Sequence, residues 1–158
     1  MPKESTNEHY MAGLKYLGED NIDKALRSFE KAYKEESENP YHMSYYGLCK
    51  ALRGGEIGFG LELCTKAIKK AFYKAVFYNN LGRVYMAAGN KKGALKVLKK
   101  GLAYDPENEE LNKYLVELGF RGKPILPSLP RANPLNKYLG ILIRRTIPGL
   151  VSAKKKKR

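Results

Sequence analysis

At 158 residues and 43% hydrophobic, the chain has enough material for one domain with a real core, and no run of ~18 apolar residues that would cross a bilayer as a helix. Its opening stretch, MPKESTNEHY, is polar and lacks an apolar signal core, so the expected location is cytoplasmic. The formal net charge of +14 is lopsided: residues 1–120 hold 19 Lys+Arg against 16 Asp+Glu, a net of +3, while residues 121–158 hold 11 Lys+Arg and no acid.

Taken in order, the chain predicts a series of helix pairs. A first helix is expected over residues 6–17 and a second up to residue 36, with a turn from Gly18 to Asn21. Asn21 suits the cap position, because its side-chain oxygen can accept from an orphan backbone N–H. Pro40 opens a second pair over 40–52 and 58–71, separated by the turn 53–56, which contains Gly54 and Gly55. A third pair spans 74–88 and 91–104, split by Gly89 and Asn90. Leu111, Leu115 and Leu118 then lay one apolar stripe along a single helix over 107–119, which would cover the apolar end of the stack. Pro106 is expected to open that helix, in a first turn that does not need its missing donor.

Beyond Phe120 the character changes. Three prolines between residues 120 and 130 predict extended, polyproline-like chain. Asn133-Pro134 reads as the start of a short helix over 134–145, and the five cations at 154–158 read as a disordered end. The expected organisation is therefore a domain at 1–120 with hairpins at 6–37, 40–72 and 74–105 plus a capping helix, a proline-containing basic extension at 121–153, and a basic tail.

The helix pairs repeat. Gly13, Gly47 and Gly82 are 34 and 35 residues apart; Ala25, Gly60 and Ala94 are 35 and 34 apart, as are Phe29, Cys64 and Leu98, and Ala32, Ala67 and Gly101. Small side chains returning beside large ones at this period announce a stacked architecture, because backbones approach closely where side chains are absent. The stretch 77–106, with Leu81, Gly82, Tyr85, Gly89, Ala94, Leu98, Gly101 and Pro106, resembles one complete tetratricopeptide repeat (TPR). The resemblance covers roughly the first two-thirds of the chain. The middle copy departs from the pattern: Lys50 stands where Tyr16 and Tyr85 stand, and Gly60 and Cys64 suggest a softer second helix. The fold implied is all-α, a right-handed α-solenoid of antiparallel helix hairpins with a C-terminal extension.

That family implies recognition, with the first helix of each hairpin lining a concave groove. By position, the groove-facing residues are Tyr10, Leu14 and Leu17, then Tyr41, Ser44, Tyr45 and Leu48, then Val76, Asn79, Asn80 and Arg83. About half of these are expected to serve as inter-repeat core instead. Cochaperone members of the family grip a C-terminal carboxylate with Lys, Arg and Asn; the matching places here are Tyr10, Leu14, Tyr45, Val76 and Asn80, and only the last fits. The expected function is a non-catalytic protein-interaction module, an adaptor, scaffold or chaperone-like holder of a peptide or partner segment. A small secretion-type chaperone is a further possibility that the family allows.

The chain's own segment 121–145 is a second candidate occupant, through docking on the groove or on the final helix at an effective concentration on the order of millimolar. Lys154, Lys155, Lys156, Lys157 and Arg158 suggest an anionic partner, either nucleic acid or a membrane surface, or a merely solubilising tail. No catalytic or phosphate-binding motif, zinc-ligand spacing or cofactor motif is present, so no enzyme activity, metal or cofactor is expected. Cys49 and Cys64 fall on opposite helices of the middle hairpin and read as small buried hydrophobes of a reducing compartment, not as a redox pair. His9 and His42 suit packing or surface roles.

Overall fold

The computed structural model describes residues 7–119, so the expectations for the extension, its helix at 134–145 and its basic tail lie outside the described residues. Seven α-helices and no strand make up those residues: α1 (Glu8–Gly18), α2 (Ile22–Glu35), α3 (Pro40–Gly54), α4 (Ile57–Lys70), α5 (Ala75–Ala87), α6 (Lys91–Tyr104) and α7 (Glu109–Glu117). The architecture is an all-α helical-repeat solenoid.

Asparagine sets most of the helix starts. Asn7, Asn21, Asn39, Asn90 and Asn108 each stand just before a helix and accept a backbone N–H from its first turn, at 2.8–3.1 Å. Asn39 is followed by Pro40, which needs no partner for its missing N–H. Helices α4 and α5, preceded by Glu56 and Lys74, have no side-chain cap. The expected place of Pro106 is corrected by the same rule. Asn108 captures the Leu111 N–H, so α7 begins at Glu109 and Pro106 stays in the preceding turn. Helix α3 also runs on through Gly54, ending where Gly55 turns left-handed at φ 68°.

The hairpins close on their smallest residues. Leu98 lies over Gly82 and Phe29 over Gly13, leaving no room for a Cβ at either glycine. The middle hairpin is closer still. A Cβ on Gly60 would fall 2.7 Å from the Gly47 carbonyl oxygen and 2.9 Å from Ala51 Cβ, so its backbones nearly touch. Gly60 is therefore a contact residue rather than a weak point, and the expected softening of the middle repeat gives way to a tight crossing.

Helix α3 packs on α5 and α5 on α7, whereas the second helices α2, α4 and α6 make no comparable contact with one another. First helices side by side, with second helices splayed behind them, give the stack an inner layer of α3, α5 and α7, with α1 as the first helix of its own hairpin. Between the layers, Tyr10, Phe29, Tyr41 and Phe77 belong to one buried cluster, and Leu48, Cys64, Leu81 and Val84 to a second. Both cysteines are free, and burial pushes each thiol up to about 12, so they remain protonated packing groups.

Candidate functional site

The eleven residues drawn from the sequence all sit on the first helices α1, α3 and α5, but they fall into two groups. Tyr10, Tyr41, Ser44, Leu48, Asn79 and Asn80 are buried, while Leu14, Leu17, Tyr45, Val76 and Arg83 are only half-buried.

The buried group holds the repeats together. Tyr10 meets Phe29 at 5.9 Å, Tyr41 at 6.2 Å and Tyr45 at 5.6 Å between ring centroids, and Tyr41 meets Phe77 edge-on at 5.0 Å. Such tilted aromatic pairs exploit the ring quadrupole while burying large apolar areas. Ser44 and Asn80 form a polar bridge inside this layer: Asn80 Nδ2 donates to Ser44 Oγ at 3.0 Å, joining α3 to α5. The Ser44 carbonyl also accepts from the Cys64 thiol at 3.3 Å, which ties in α4. Asn79 reaches the other way and donates to Glu110 Oε2 at 2.6 Å, joining α5 to α7.

The half-buried group, with two residues of α7, offers contact area. Arg83 lies 5.9 Å from the centre of the Tyr114 ring, close enough for a cation–π contact. Met11 is 54% exposed and stands one helical turn before Leu14, on the same face. Apolar area thus concentrates towards α1, and charge and hydrogen-bonding groups towards α5 and α7.

Met11, Glu110 and Tyr114 were not among the residues drawn from the sequence, yet the period contains them. Met11, Tyr45, Asn80 and Tyr114 are spaced by 34, 35 and 34 residues, as are Asn7, Tyr41, Val76 and Glu110. Helix α7 therefore continues the register as the first helix of a fourth repeat, the last helix among the described residues. The Leu stripe draws attention to its packing side alone, and Leu111 and Leu115 are indeed buried there.

Comparison with known proteins agrees with this geometry. The sequence profile of the tetratricopeptide repeat matches residues 75–108. No curated protein matches the chain. Among solved structures, the first TPR domain of human RPAP3 is similar with a TM-score of 0.58 at 19% identity, over 70% of this chain and 87% of that one. The TPR2B domain of yeast Sti1, solved as a complex with pHsp70, gives 0.57 at 18%, over 71% and 94%. A thermophilic TPR protein of Thermus thermophilus gives 0.59 at 22%, over 71% and 65%.

Proposed function

From a chain that carries a tetratricopeptide repeat at residues 75–108 and folds over its described residues as a solenoid of that kind, we propose a holder of linear protein segments that works along the inner face of α1, α3, α5 and α7. The observation that carries the proposal is the partial exposure of Met11, Leu14, Tyr45, Val76, Arg83 and Tyr114, one or more on every first helix. Tyrosine and arginine anchor interfaces well, because each offers large contact area with a polar end.

The bound segment is not an acidic chaperone tail. Yeast Sti1 and RPAP3 structures were solved with HSP70 and HSP90 peptides, one of them SRMEEVD. Of the five positions that would form a carboxylate clamp here, Tyr10 is buried and Asn80 spends its amide on Ser44, while Leu14, Tyr45 and Val76 carry no charge. An apolar end reading Met11 and Leu14, and an end with both charge signs at Arg83 and Glu110, fits a segment that is apolar towards one terminus and charged towards the other.

Selection of linear peptides from a random library on the intact chain, followed by calorimetric titration of the winners, tests this. Peptides of that mixed character are expected, weakened at least about tenfold by Val76→Glu or Leu14→Glu, with no binding of SRMEEVD. Failure to enrich any sequence, or winners indifferent to both substitutions, overturns the reading.

A further inference from the structure

The near-neutral total of the first 120 residues conceals a strong local imbalance. Between Ile57 and Tyr104 there are ten Lys and Arg and one acid, Glu62, which is paired with Lys66 at 2.7 Å. Helix α6 alone holds Lys91, Lys92, Lys96, Lys99 and Lys100 with no acidic residue. Lys92, Lys96, Lys100 and Tyr104 recur at every fourth position, so they form one exposed stripe about 18 Å long on α6. Like charges at that spacing oppose the helix they sit on, and the hairpin packing of α6 uses Ala94, Leu98 and Gly101 instead. Folding does not call for this stripe.

At its end the stripe runs into a row of aromatic rings. Tyr73 meets Phe72 at 5.8 Å, Phe72 meets Tyr104 at 5.8 Å, and Tyr104 stacks on Tyr78 at 5.5 Å and 26°. Lysines flank the row: Lys74 Nζ lies 5.7 Å from the Tyr73 centroid, and Lys100 Nζ lies 5.9 Å from that of Tyr78. The two central rings are open to solvent, Phe72 at 56% and Tyr104 at 41%. The Phe72 carbonyl is held by the Tyr78 hydroxyl at 2.8 Å, which fixes the loop that presents the ring. Asp105 and Glu107 are the acids that follow Tyr104 in sequence, and Asp105 accepts from the Asn108 side chain; Glu38, far off in sequence, pairs with Lys70.

We propose that this face binds single-stranded nucleic acid, with bases stacking on Phe72 and Tyr104 and phosphates lying along Lys92, Lys96 and Lys100. Exposed rings serve any unpaired base, since every base has a π-face, and a cationic track follows the backbone. A duplex keeps its bases stacked inside and leaves the two rings idle. An anionic membrane would use the charge and could take up the two exposed rings at its interface, but it has no need of ring faces held in place by the edge-on contacts of Tyr73, Phe72 and Tyr104 and the stacking of Tyr104 on Tyr78. The surface is separate from the segment-binding face, because it is built from α6 and the loop after α4.

Anisotropy titration of a short labelled oligouridylate with the full chain tests the proposal. Phe72→Ala with Tyr104→Ala is expected to weaken binding about tenfold per ring. Lys96→Gln with Lys100→Gln, which leaves the rings in place, is expected to make the salt slope shallower by about 1.4. Binding that survives the ring substitutions and disappears on removing residues 154–158 overturns it. So does equal loss on duplex RNA, or a preference for phosphatidylglycerol vesicles that the ring substitutions abolish. Unchanged melting curves for both double variants keep misfolding out of the comparison.

Discussion

Leu98 occupies the space that a side chain on Gly82 would need: a Cβ there would lie 2.5 Å from Leu98 Cδ2 and 2.8 Å from Cγ. Gly82→Ala is therefore expected to destabilise by about 1–3 kcal/mol, the range for overpacking a filled core. Gly58, near the start of α4, has no atom within 4 Å of a built Cβ. Gly58→Ala should leave stability unchanged or raise it by up to about 1 kcal/mol through helix propensity. Urea denaturation of the two variants checks the contrast.

Asn90 accepts from Gly93 N–H at 2.8 Å at the start of α6. Asn90→Ala is expected to lose about 1 kcal/mol, the usual value of a cap. Because α6 and α7 stand at the end of the described stack, amide exchange should rise there before it rises in α3.

The Ser44–Asn80 bridge is buried at both ends. Ser44→Ala strands the Asn80 amide, and a loss of about 1–3 kcal/mol is expected from an unsatisfied buried donor. Adding Asn80→Leu should recover part of that loss, because both partners are then apolar. Thermal melts of the two single variants and the double variant measure the coupling, and strictly additive losses would contradict the bridge.

Burial holds His42 below the ordinary histidine range, against the opposing pull of the Glu36 carboxylate. The folded state thus keeps the neutral ring, whereas the unfolded chain takes up a proton below about pH 6.5. Its contribution to stability is complete above that pH and is lost as the pH falls. Melting temperature should therefore decline as the pH falls below about 6.5, and His42→Phe should flatten that decline.

What the sequence made legible is what the period forces. Gly13, Gly47 and Gly82 return in step because each faces a bulky or backbone atom of its partner helix, and those columns need no knowledge of curvature. The contacts between repeats are another matter. Ser44 with Asn80, Asn79 with Glu110, and Phe72 with Tyr104 are 36, 31 and 32 residues apart, so no single column connects them. They depend on how one hairpin leans on the next. For the same reason half-buried Arg83 and fully buried Asn80, three residues apart on one helix, look alike as groove candidates in sequence. Helix α7 was legible as an end cap through its leucines, while its contribution to the inner face becomes visible only when the 34-residue register is carried one step further.

The most direct test is amide chemical-shift mapping of a library-selected peptide titrated into the intact, isotopically labelled chain. Perturbations should cluster on Met11, Leu14, Tyr45, Val76, Arg83 and Tyr114, spanning four helices that are discontinuous in sequence. Shifts confined to α2, α4 and α6, with the first helices silent, would contradict a segment held along the inner face.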